Sequence, residues 1–147
     1  MANANEIVVT LPGQRRVDAK IEQHTIRTDQ PIEKGGEDSA PAPFDLFLAS
    51  IATCAGVFVQ GFCAKRGIPS GDIRITERPR FSEEGILEEI DLHLELPASF
   101  PEKYRPALVK VVEQCSVKRA ILAQPRFTIR VTELQDALSA RTVAHAL

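Results

Sequence analysis

Apolar and polar residues alternate along the first thirty positions and again through the middle of the chain, and two stretches depart from that rhythm toward a helical one. Glu6 to Leu11 is strand-like, and Pro12-Gly13 after it is a turn signal. From Arg16 to Glu22 the alternation is clean. Val17, Ala19 and Ile21 share one parity, and Arg16, Asp18, Lys20 and Glu22 the other. A third strand is expected over residues 24–28. Two more are expected at about 72–80 and 87–96, joined by a turn at Ser82 to Gly85. The later one sets Ile90, Leu92, Leu94 and Leu96 against Asp91, His93 and Glu95. Phe127, Ile129 and Val131 mark a last strand.

From Phe44 to about Lys65 the chain reads as a helix that is apolar nearly all round, stopped at Gly67. Such a helix must be covered on most sides, so it belongs at the centre of the molecule or in a dimer interface. Ser99 with Pro101-Glu102 looks like the start of a second helix running to about Cys115. Val117 to Ala123 continues it after a bend. Residues 135–147 read equally as a helix or a frayed tail. Strands grouped rather than interleaved with helices make the fold class α+β.

The chain has 147 residues, which fits one domain, with its core over about 6–132 and a tail at 133–147. Net charge is −2 and no run of Lys and Arg exceeds two residues, which argues against nucleic acid and anionic membranes as partners. The longest apolar stretch reads as too short and interrupted to span a bilayer. The first residues lack a signal-peptide pattern, and three cysteines without close spacing do not suggest a secreted disulfide framework. A cytoplasmic protein is expected. His24, His93 and His145 are scattered, and no phosphate or dinucleotide loop is present, so neither a metal nor a cofactor is expected.

Chemistry centres on Cys54, inside the apolar helix, and on Cys115, at the end of the second helical pattern. A thiol deep in a helix with a second one far along the chain suggests a peroxidatic and a resolving cysteine. The plainer reading is that Cys54 fills space as a small hydrophobe. To act as a nucleophile it must ionise, and its own helix does not help, because the dipole fades beyond the first turn. A cation must then come from elsewhere. Arg15 and Arg16 are the best donors; parity with Val17 favours Arg15 as inward-facing, although a surface pair is the ordinary expectation for such residues. Cys63 lies nine residues beyond Cys54, about 13.5 Å along a helix. A disulfide needs Cα atoms within about 7 Å, so Cys63 reads as a packing residue. Nothing local predicts contact between Cys54 and Cys115.

The stretch from Gly35-Gly36 through Ala40-Pro41-Ala42-Pro43 to Cys54, followed by Cys115-Ser116-Val117, resembles the two cysteine motifs of the OsmC/Ohr superfamily. The order of elements over about 6–132 is similar too. The resemblance implies an OsmC-like fold, with antiparallel sheets around a buried central helix, in an intertwined homodimer. It implies thiol-dependent reduction of organic hydroperoxides. Cys54 would attack the peroxide, Cys115 would resolve the product as a disulfide, and an external dithiol (a lipoyl protein or a thioredoxin-like one) would reset the pair. The family's arginine would match Arg15 or Arg16. Its glutamate near the helix start falls on Phe44 here, with Asp45 the nearest acid. That departure keeps two other readings open: a non-catalytic binding protein for a small hydrophobic ligand, and a thiol redox sensor.

Overall fold

The computed structural model describes residues 6–133. Its first unit is a three-stranded antiparallel sheet in the order β1-β2-β3, with β1 at Val8–Gly13, β2 at Arg16–Ile21 and β3 at His24–Thr28. The reversal between β1 and β2 falls on Gln14 and Arg15, both with positive φ, two residues later than the Pro12-Gly13 signal. Pro12 is accommodated because β1 is an edge strand, where its missing N–H leaves no ladder bond unmade.

The helix α1 runs over Pro43–Ala64. Proline at its first position has the φ a helix start requires, and the Ala42 amide donates to the Asp45 carboxylate at 3.1 Å, closing the N-terminal turn. Twenty-two residues with no charge after Asp45 make α1 long and apolar enough to cross a membrane on length and composition. The sequence reading set that stretch too short. In the fold, α1 is the core helix: Ile51, Ala55, Val59, Phe62 and Cys63 are buried along it.

A second antiparallel sheet pairs β4 (Arg74–Phe81) with β5 (Leu87–Glu95). Alternation decides its faces. Ile75, Glu77 and Pro79 stand opposite Leu94, Leu92 and Ile90 on one face, while the other carries the exposed pairs Arg78–Asp91 and Arg80–Glu89. Ile73, Ile75, Leu92 and Leu94 pack against the buried side of α1.

After β5 the expected pair of helices forms, the first of them shorter than its pattern suggested. A 3-10 turn at Glu102–Tyr104 leads into α2, Arg105–Val112, whose Leu108 and Val112 close the core. Then comes α3, Ser116–Leu122, with Cys115 as its N-cap residue. The last expected strand is not formed among the described residues. Phe127, Ile129 and Val131 pair with none of them and are 88, 91 and 95% exposed. Alternation makes a segment fit for a sheet, but a strand exists only when a neighbour accepts its hydrogen bonds. The tail from Gln135 to Leu147 lies outside the described residues.

Candidate active site

Cys54 sits in the middle of α1, half-buried, on the side turned toward α3. Its neighbours there come from the start of α3. The Cys115 thiol and the amides of Val117 and Ser116 lie close enough to the Cys54 sulfur to favour its charged form. Burial alone would push the Cys54 thiol up, but these three donors together outweigh it and hold the thiol below the ordinary cysteine range. Cys115 goes the other way. It is 1% exposed, and burial pushes its thiol up. Its hydrogen bond to Cys54 and the negative charge there push in the same direction, against the amides of Lys118 and Val117. The two thiols are thus displaced in opposite directions, Cys54 down and Cys115 up.

Sequence reasoning sought a cation for Cys54. Within the chain the lowering comes instead from peptide amides at the head of a different helix. Among the described residues, no Arg or Lys charge acts on this thiol. Arg15 is not part of β2, so strand parity does not govern it. It lies in the turn with φ 71°, its Nε 3.7 Å from where a Gly35 side chain would begin. Arg16 opens β2 and is exposed, and both arginines border a pocket with Lys34 and Gln30. The Asp45 carboxylate is engaged with the Ala42 amide at the head of α1. Phe44 stacks with Phe47 and Phe81, at ring separations of 5.5 and 6.0 Å, where the resemblance would have a glutamate. Cys63 lies in the core at 1% exposure, its thiol raised by burial against the weaker pull of Arg66.

Two carboxylates escaped the sequence reading. Asp29, fully buried, follows β3 and organises the loop that delivers α1. It accepts from the Ser39 hydroxyl at 2.6 Å and from the amides of Ser39, Gln30 and Glu37 at 3.0, 2.7 and 3.2 Å. The Ser39 hydroxyl and amide lead in bringing its pKa down to about 2; burial opposes them, and the Gln30 and Glu37 amides add to the fall. The loop closes so tightly that a Cβ on Gly36 would meet the Gln30 carbonyl oxygen at 1.9 Å. A Gly-Gly between a polar residue after a strand and a serine before a proline-rich helix start was the available signal. Glu77 is the opposite case. It faces α1 from the apolar side of β4, with its Oε2 buried and unbonded. Burial raises its carboxyl, and the Ala52 amide offsets this only in part. Parity with Ile73 and Ile75 points this acid inward, but an acid on a strand reads as solvated until its cover is known.

No group of His, Cys, Asp and Glu suited to a metal occurs among the described residues.

Solved structures with this fold include a candidate osmotic stress induced and detoxification response protein from Psychrobacter arcticus 273-4. It is 20% identical, with a TM-score of 0.67 over 78% of this chain and 85% of that one. An OsmC-like protein from Mycoplasma pneumoniae is 19% identical, with a TM-score of 0.65 over 86% and 94%. An organic hydroperoxide resistance protein OsmC from Legionella pneumophila is 23% identical, with a TM-score of 0.54 over 79% and 88%. At these identities the likeness shows the fold. No curated protein matches the chain. The OsmC-like protein family model matches residues 36–130, which take in Gly36, Cys54, Cys115 and every element between them. The chain belongs to the OsmC-like protein family.

Proposed function

We propose that this protein is a thiol peroxidase for organic hydroperoxides, with Cys54 as nucleophile and Cys115 as resolving residue. The observation that carries the reading is the opposite displacement of two touching thiols: Cys54 down, Cys115 up. That is the split a two-cysteine cycle requires, because the attacking sulfur must be charged and the resolving one must wait. The Cys54 thiolate attacks the outer peroxide oxygen, the O–O bond breaks, and the alkoxide leaves as alcohol after taking a proton. Cys54 becomes a sulfenic acid. The Cys115 sulfur then attacks the Cys54 sulfur, and its proton leaves with the hydroxyl as water. Two electrons have passed from the two sulfurs to the peroxide, and an external dithiol returns them.

The working unit in this reading is a homodimer, and the chain by itself is incomplete. Among the described residues, β4 and β5 each have a free edge, β1 carries exposed Val8, Val9 and Leu11, and residues 125–133 alternate without a partner. Strands from a second copy satisfy both needs, with Phe127, Ile129 and Val131 covering an apolar cavity of about 320 Å3 bordered by Ile51, Leu92, Leu94 and Ile121. Arg15 or Arg16 then approaches the thiols across the dimer to steady the transition-state charge, and Asp45 holds the helix start. We place the protein in the cytoplasm, where a dithiol reductant is available.

The deciding experiment is thiol titration with intact mass, before and after one equivalent of cumene hydroperoxide. Loss of two thiols per chain with a Cys54–Cys115 disulfide is the expected result. Three unchanged thiols would overturn the reading.

A further inference from the structure

The head of α1 carries an aromatic group that the fold leaves half open. Phe44, the second residue of the helix, stacks on Phe47 at 5.5 Å and on Phe81, the last residue of β4, at 6.0 Å, with the rings tilted by 39° and 50°. Phe44 and Phe81 nonetheless stay 46% and 43% exposed, and Phe47 is half-buried. Rings that have packed together and still face solvent mark a surface suited to something apolar. Helical register leads from these rings to the thiol. Phe47, Ile51 and Cys54 follow at i, i+4 and i+7 on one face of α1, which sets Phe47 and Cys54 about 10.5 Å apart along the axis. Ile51, between them, borders the apolar cavity of about 320 Å3. The hydroxyls beside this line are satisfied within the helix: Ser50 donates to the Phe47 carbonyl at 2.6 Å, and Thr53 to the Ala49 carbonyl at 2.7 Å.

We propose that Phe44, Phe47 and Phe81 determine specificity at Cys54, holding the aryl group of an arylalkyl hydroperoxide while its O–O bond lies at the sulfur. The hydroperoxide in this statement rests on the proposed peroxidase reading; the recognition of an aryl group beside the thiol does not. The chemistry of the occupant follows from the strip it would lie on. It is apolar, because the side chains along the strip are apolar and the neighbouring hydroxyls already have acceptors. It is extended, because two helical turns separate Phe47 from Cys54. It is aromatic, because a further ring meets the edges and faces of the three in the tilted arrangement they already adopt among themselves. Hydrogen peroxide and tert-butyl hydroperoxide end short of the rings and gain nothing from them. Asp45, the acid of the same turn, is engaged with the Ala42 amide at 3.1 Å. Phe44 is the centre of the group, since it stacks on both other rings.

Two maleimides read the recognition without any peroxide. The full chain is treated with N-phenylmaleimide and N-methylmaleimide at pH 7, and modification of Cys54 is followed by peptide mass spectrometry. After correction for the ratio of the two rates on glutathione, Cys54 is expected to favour the phenyl reagent about tenfold. Phe44→Glu should bring that preference close to one, Phe81→Ala should lower it about threefold, and Phe44→Leu should keep most of it. In turnover with a dithiol reductant, Phe44→Glu should raise KM for cumene hydroperoxide about tenfold relative to KM for tert-butyl hydroperoxide, with the ratio of the two kcat values held. A wild-type preference near one would overturn the aryl site. So would a Phe44→Glu or Phe81→Ala loss of the same size for both reagents and both peroxides, which is the mark of a disturbed helix. If the maleimide preference behaves as expected but neither hydroperoxide is consumed, the peroxidase reading fails and the hydroperoxide as ligand with it, while the aryl site beside Cys54 stands.

Discussion

Cys54 and Cys63 occupy the same helix nine residues apart, yet their surroundings move their thiols in opposite directions. Around Cys54, the start of α3 presents a thiol and two amides, and acidity rises despite partial burial. Around Cys63, the last turn of α1 meets Phe62, Phe100 and Leu108 in the core, and burial keeps the proton on. The Cys54 result does not follow from position along α1, because the helix dipole fades beyond the first and last turns. A cysteine's acidity here is a property of what a second element brings to it.

The sharpest way to break this contrast is to remove the reactive sulfur. Cys54→Ser is expected to lower hydroperoxide consumption by about a thousandfold or more, measured with a dithiol reductant in excess, while Cys63→Ser leaves it near wild type. Comparable loss in both variants would put chemistry and packing at the same place and end the distinction. Alkylation sets the next scale. Iodoacetamide at pH 7 should modify Cys54 roughly 100-fold faster than Cys63, resolved by peptide mass spectrometry. Because the Cys54 thiol is lowered, its rate should climb with pH to half its maximum below the usual cysteine value of about 8.5, and that of Cys63 above it. Coincident midpoints would refute the two environments.

Stability should invert the ranking. Cys63→Ala empties a filled core position and is expected to cost about 1 kcal/mol in denaturant unfolding, more than Cys54→Ala. The same lesson in carboxylates predicts the smallest effects. Glu77 has a raised carboxyl in the folded state, so its penalty is absent while it is protonated at low pH and grows as pH climbs through that raised value. Glu77→Gln should therefore melt above wild type at pH 8, with the gap closing near pH 4. Asp29, brought down to about 2, works in reverse: its contribution is full above the ordinary carboxylate value and fades as pH falls from about 4 toward 2. Asp29→Asn should thus lose its melting deficit against wild type at the acid end, and a deficit that persisted at pH 2 would count against the hydrogen-bonded carboxylate.

Much of the fold was legible. Alternation located β2 and β5, and the uncharged run with its proline start and glycine stop located α1 to within a residue or two. The sites of error share a cause. Arg15 defied parity because the turn fell at Gln14 and Arg15, and a turn resets the faces that parity counts. Residues 125–133 carry a strand pattern without a strand, because pairing depends on what lies alongside. Both cysteines of the candidate site could be named from motif and context, but not the amides between them. A backbone N–H belongs to every residue save proline, so its position at the head of α3 leaves no mark in the alphabet. Glu77 was hidden for a related reason: one acid on a regular strand looks solvated until the partner layer is known.

The closed loop at Gly36 bears on how this protein would answer a saturation mutagenesis screen. With a carbonyl oxygen sitting inside the space of any Cβ, every substitution there must open the loop that Asp29 ties and so disturb the start of α1. Position 36 would score as intolerant as the thiols, though it touches no peroxide and moves no proton. A map of intolerance for this chain would show two kinds of dark spot, one for reacting atoms and one for absent ones, and only a chemical readout would tell them apart.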